Sequence, residues 1–133
     1  MGLALSVALL GGLGALLRYG LDHLIAQHFG RSLPFGTMSI NIIGSGLGGI
    51  LVGASLHLGI ASTTETLLLT GLLGGFTTAS TFSFEVAELL RRQRFAAGAL
   101  VAIGTMAVAL LFGTVGVLLG EASAPLAIVS RLF

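Results

Sequence analysis

Charge is what this chain of 133 residues has least of: 8% of its residues are Asp, Glu, Lys or Arg, against roughly a quarter in a soluble domain. So few ionic groups cannot cover a water-facing surface. With 55% apolar residues and a mean hydropathy of +1.07, the apolar runs are also too long for a soluble core. Cysteine is absent altogether, which excludes disulfides, thiol redox chemistry and cysteine metal sites and says nothing about compartment. The N-terminus, MGLALSVALLGGLG, lacks a basic region and the hydrophobicity returns in later segments, so it does not read as a secretory signal. A net charge of +1, with no aromatic–basic interleaving, leaves no footprint for nucleic acid. No nucleophile–base pair or metal-ligand spacing occurs; His23, His28 and His57 fall at span ends, and Glu65 and Glu85 near boundaries. The chain does not read as an enzyme. What remains is an all-α integral membrane protein, a single transmembrane domain over residues 1–133.

About 20 apolar residues carry a helix across the hydrocarbon core, and four such spans are expected. The first runs from Leu3 to about Gln27, with Arg18 and Asp22 in its second half; the second from Phe35 to about Leu58, opened by Pro34, which suits a helix start. A third covers about Thr66 to Leu90 with an interruption near Gly74–Thr78, and a fourth runs from Phe95 to about Gly120. Pro125 is expected to stop the tail from continuing the last helix. Arg31, Arg91, Arg92 and Arg94 sit at two loops on one side, which the positive-inside rule places in the cytoplasm with both termini outside. Gly44–Gly48, Gly49–Gly53, Gly71–Gly75 and Gly116–Gly120 are each spaced by four, a pattern that lets membrane helices approach closely. Four spans leave little room for a path between them, so a transport route calls for a second copy of the chain.

The third span carries the strongest signal. Residues 71–83 read GLLGGFTTASTFS, glycines and then five hydroxyls in a stretch without charge between Glu65 and Glu85. Freed backbone groups in hydrocarbon cost several kcal/mol each, so irregular backbone survives there only where it lines a cavity, an ion site or a protein interface. Gly71, Gly74 and Gly75 are expected to permit the break, and Thr77, Thr78, Ser80 and Thr81 to satisfy the groups it releases. Phe82 adds a ring whose positive edge can lie against an anion, or simply packs. Thr37, Asn41 and Ser45 follow one another by a turn on the second span; Asn41 reads either as glue between helices or as a donor pair for an anion. Arg18 either pairs with Asp22 one turn away or marks the mouth of a path.

Taken together these residues resemble the Fluc/CrcB family of fluoride channels. The likeness rests on a GGxGxxxRY stretch (Gly11–Tyr19), GTxxxNxxGS (Gly36–Ser45) and GxxGGxTTxSTFSxE (Gly71–Glu85), of which the third is the most specific. The resemblance implies a four-span protein of the bacterial inner membrane that pairs as an antiparallel, dual-topology homodimer. It implies passive export of fluoride from the cytoplasm down its gradient. By position, Asn41 matches a pore asparagine that donates to fluoride, Phe82 one of two pore phenylalanines, Ser80 and Thr81 a hydroxyl track, and Thr37 and Arg18 family residues of spans two and one. Gly74 and Thr77 match residues whose carbonyls hold a structural sodium ion at the dimer centre. The chain departs from the family at Ala79, which stands where the first pore phenylalanine belongs. It departs again at Ala109, in place of a serine, with Thr105 one turn earlier as a substitute. Two other classes compete: a small dual-topology exporter of cationic drugs that would use Asp22, and a membrane scaffold that transports nothing.

Overall fold

A computed structural model describes residues 2–58 and 61–129. Among these, four helical segments are long and apolar enough to cross a membrane: Gly2–Phe29, Phe35–Leu56, Ser62–Arg91 and Phe95–Ser123. The chain is a multi-pass membrane protein. Helix α1 is Gly2–Phe29 and α2 Phe35–Leu58. The third span is assembled from α3 (Ser62–Thr66), a π-helical stretch (Leu67–Leu73), α4 (Gly74–Phe76) and α5 (Ala79–Arg91). Helix α6, Phe95–Val129, is the longest.

Three expectations about boundaries are corrected. The third span starts at Ser62 rather than near Thr66, because its polar first turn is helical yet too hydrophilic to register as hydrocarbon-spanning. Residues 67–73 form wide π turns where an ordinary α-helix was expected; the Gly74 N–H reaches back five residues to the Leu69 carbonyl. Helix α6 runs through Pro125 to Val129: one proline removes a single ladder bond, and a helix already 30 residues long at that point has enough others.

Packing follows glycine. Helix α2 makes its most extensive contact with α6, through the predicted Gly49–Gly53 and Gly116–Gly120 pairs. A Cβ on Gly49 or Gly53 would strike the Gly113 or Val117 carbonyl, and one on Gly116 or Gly120 the Gly46 or Ile50 carbonyl. Helix α1 packs against the π stretch and α4, where Gly14 abuts the Leu72 carbonyl and the Phe76 N–H, and Gly75 abuts the Gly11 carbonyl. Gly44 and Gly48 do something else, meeting the Thr77 methyl and Leu73 side chain of the broken span. In hydrocarbon no hydrophobic force drives helices together, so such backbone approach supplies the van der Waals contact that holds the bundle.

The break itself falls at Thr77 and Thr78, both extended (φ −78°, ψ 158° and φ −150°, ψ 115°). Gly71, Gly74 and Gly75 were expected to permit it. They do not: Gly74 lies in the α region at φ −62°, ψ −35°. Gly71 and Gly75 are where α1 presses closest. Their role is clearance for a neighbouring helix, and the interruption is held by side chains.

Candidate functional site

Each half of the break is secured by a different residue. Asn41, in the second turn of α2, accepts from the Thr78 N–H through Oδ1 at 2.9 Å and donates from Nδ2 to the Thr78 carbonyl at 3.1 Å. The carboxamide thus stands in for a peptide group and satisfies both backbone groups of the residue that leaves the helix. Thr78 then caps α5: its Oγ1 accepts from the Thr81 N–H at 3.2 Å and donates to Thr81 Oγ1 at 3.1 Å. The Ser80 hydroxyl lies 3.3 Å away. A hydroxyl placed three residues before the N–H that it accepts from is the ordinary N-cap arrangement.

These bonds also release carbonyls. In an unbroken helix the Thr78 and Thr81 N–H groups would bond the Gly74 and Thr77 carbonyls; here they go to Asn41 Oδ1 and Thr78 Oγ1. The Thr77 side chain, for its part, donates back to the Leu73 carbonyl at 2.9 Å.

Two cavities with polar groups in largely apolar walls meet at the break, and Thr78 borders both. The larger, about 440 Å³, is an open groove whose polar lining includes Asn41, Ser45, Thr77, Thr78 and Thr105, with Gly74, Ala79 and Phe82 beside them. The smaller, about 220 Å³, lies on the α1 side and takes Arg18, Asp22, Thr37, Thr78, Thr81 and Glu85. The expected site residues therefore divide. Asn41, Phe82, Ala79, Thr105, Gly74 and Thr77 share the groove; Arg18, Thr37 and Thr81 share the second cavity. Ser80 lines neither and is exposed; Thr81 is exposed as well but borders the second cavity.

Two polar atoms are buried without a partner among the described residues. Thr105 Oγ1, on α6, belongs to a side chain only 3% exposed and lies in the groove wall. Glu85 Oε2, on α5, lies in the second cavity. Thr37, equally buried at 3%, sits beside Glu85. An orphaned hydroxyl costs about 1–3 kcal/mol, so Thr105 is held at a loss that a ligand would recover.

Arg18 forms no ion pair with Asp22; the ion pairs among the described residues are those of Glu88 with Arg91 and Arg92. Asp22 instead lies flat against Gly36 at the start of α2, where no Cβ stands in its way. The guanidinium lines a cavity with three threonine hydroxyls and with the Asp22 and Glu85 carboxylates, neither within ion-pair distance of it. Charge at this depth is expensive enough to mark a site. Thr78 is the residue the sequence reading undervalued: it was expected only to satisfy released backbone, and it forms the septum between both cavities. The spacing of Thr78 to Thr81 ahead of an apolar, amphipathic segment was the available signal.

The geometry agrees with what the chain is similar to. A family model described as "CrcB-like protein, Camphor Resistance (CrcB)" matches residues 5–117. A protein of Roseiflexus sp. (strain RS-1) named "Fluoride-specific ion channel FluC" is 39% identical over 117 residues, covering 87% of this chain and 91% of that one. Its namesake in Aquifex aeolicus (strain VF5) is 37% identical over 122 residues, 91% and 98% of the two chains. Another, in Methylobacterium nodulans, is 47% identical over 97 residues, 72% and 77%. The chain belongs to the CrcB-like family.

Proposed function

We propose that this CrcB-like chain is a passive, fluoride-selective ion channel, carrying fluoride out of the cytoplasm of a bacterial cell down its electrochemical gradient. The observation that carries the reading is the groove at the broken third span, where Asn41 fixes the break, Thr105 offers a hydroxyl with no partner, and Phe82 stands alongside. Fluoride is small and strongly hydrated, so a pathway must replace its water closely. One Asn41 Nδ2 hydrogen is engaged by the Thr78 carbonyl, and the second, with the Thr105 hydroxyl, supplies neutral donors. The Phe82 ring adds a positive edge without a full charge that would trap the ion. Arg18, with Thr37 and Thr81 in the neighbouring cavity, offers an anion hydrogen-bond donors before the narrow part is reached, its charge offset by Asp22 and Glu85 in the same wall. Ser80 extends the hydroxyl track at the exposed face of α5.

The open side of the groove is the place for a second copy, and on this reading the channel is an antiparallel, dual-topology homodimer. Gly74 and Thr77 would hold a structural sodium ion at its centre through the two carbonyls that the break frees from the helical ladder. No group of three or more His, Cys, Asp or Glu among the described residues could hold a metal, so backbone oxygen is the donor set that fits. The ion would supply fixed positive charge and tie the breaks of the two copies together. Export of cationic drugs is not favoured by relatives that are named as ion channels.

Purified protein in liposomes loaded with both halides tests the reading. Fluoride is expected to leave and chloride to stay; equal release of the two, or retention of both, would overturn it.

A further inference from the structure

A third cavity lies at one end of the bundle, and nothing in the channel reading uses it. It occupies about 210 Å³ between the α1–α2 and α5–α6 loops, at the level where four spans begin or end and the bilayer headgroups therefore lie. The Arg94 guanidinium donates to the Ser32 carbonyl at 2.8 Å and ties the two loops across it. Turns with positive φ at Gly30 (71°) and Gln93 (60°) shape both rims.

Its lining is divided by charge. Arg31, Arg92 and Arg94 stand at the loop rim, while Asp22 and Glu85, which also line the smaller cavity at the break, form the inner wall. Glu88 does not alter that division, because it is held by Arg91 in a two-bond pair at 2.7 and 2.8 Å and by Arg92 at 2.7 Å. Arg31 has no carboxylate within ion-pair distance among the described residues, Arg94 bonds only a neutral carbonyl, and Glu85 Oε2 is buried with no donor. The cavity thus presents positive charge without an ion pair at Arg31 and Arg94 outside, and within it two carboxylates that form no ion pair, with Arg18 on their far side. Its remaining wall is apolar and includes Phe84, 70% exposed on the outer face of α5, so the cavity has a hydrocarbon flank.

We infer that this cavity seats the headgroup of a phospholipid bearing a primary ammonium, with the phosphate against Arg31 and Arg94, the ammonium against Asp22 and Glu85, and an acyl chain along Phe84. Arginine's planar donor fork suits phosphate oxygens. The ammonium's three N–H donors match an acceptor that otherwise has none, a match that a quaternary ammonium or an uncharged glycerol headgroup cannot make. A free phosphate would leave both the inner carboxylates and the apolar flank unused. The inference is independent of what the channel conducts.

Native mass spectrometry of the full-length protein in detergent, with added phosphatidylethanolamine, phosphatidylcholine, phosphatidylglycerol or soluble phosphoethanolamine, tests it. Phosphatidylethanolamine is expected to be retained at least about fivefold better than each of the other three, the worth of roughly one well-placed ionic contact. Arg31→Gln should weaken all three lipids, and Asp22→Asn with Glu85→Gln should abolish the preference for the ethanolamine lipid over the choline lipid. The melting temperature of each variant without lipid establishes that it is folded, and Arg31, which anchors nothing, provides a variant with no fold to lose. Equal retention of the three lipids, an undiminished preference after loss of the carboxylates, or soluble phosphoethanolamine binding as well as the lipid would each overturn the inference.

Discussion

Asn41 and Thr105 are both polar residues on apolar helices, and the structure gives them opposite energetic characters. Asn41 satisfies two backbone groups that would otherwise be orphaned at the break. Asn41→Leu should therefore cost several kcal/mol, about 1–3 for each group left unpaired, and abolish flux with it. Asn41→Asp keeps the acceptor for the Thr78 N–H but, ionised, turns a carboxylate oxygen toward the Thr78 carbonyl in place of the donor, so it should suppress fluoride flux and lower stability as well; unchanged flux in liposomes would remove Asn41 from the pathway. Thr105 holds no structure together, since its hydroxyl has no partner among the described residues. Thr105→Val, nearly the same shape, should leave the melting temperature equal or higher while lowering fluoride flux severalfold. A fall in stability without a change in flux would mean that the hydroxyl serves packing. Ala79 is exposed in the groove beside Phe82, so Ala79→Phe has room and should raise flux by restoring a second ring edge. An unaltered rate would show that one ring suffices.

At the scale of the helix, glycine was easy to find in the sequence and easy to misread. Spacing by four correctly marked the α2–α6 seam at Gly49, Gly53, Gly116 and Gly120, because close approach leaves a periodic trace. The same residue type in GLLGGF suggested a flexible joint, whereas Gly71 and Gly75 are places where α1 presses in and Gly74 is an ordinary helical residue. Composition cannot distinguish clearance from conformational freedom; the facing helix decides. The break was legible as a hydroxyl cluster at bilayer depth, but its position at Thr77–Thr78 depends on Asn41, 37 residues earlier, a partnership invisible to any local pattern. The π stretch Leu67–Leu73, which packs against α1, left no mark in the local sequence either. Two glycines on α1 separate these roles experimentally. A Cβ on Gly12 meets nothing, while one on Gly14 strikes the Leu72 carbonyl and Phe76 N–H. Gly12→Ala should be neutral or stabilising by up to about 1 kcal/mol. Gly14→Ala should cost about 1–3 kcal/mol or more by forcing α1 away, measured by thermal unfolding in detergent, with a parallel loss of flux. Equal tolerance of the two would refute the account of this contact.

For the whole molecule, the four spans were legible from hydropathy alone, and so was the grouping of arginines at one end. The division of the expected site into two cavities was not legible. Sequence places Thr37, Asn41 and Ser45 one turn apart on α2, yet Thr37 faces Arg18 and Thr81 on one side of the break while Asn41 and Ser45 face Thr105 and Phe82 on the other. The drift of an α-helix by about 40° every four residues, together with the intervening Thr78, separates them. A single chain leaves the larger cavity of the two open along one side, which is what a second copy is proposed to cover.

Recording from the reconstituted protein in a planar bilayer, with fluoride and chloride gradients set in opposite directions, addresses that assignment most directly. A passive fluoride-selective pore predicts a steady current whose reversal potential lies at the fluoride equilibrium potential and stays there as chloride is varied. A reversal potential that follows chloride, or a membrane that carries no fluoride current at any voltage with Ala79→Phe also silent, would contradict it.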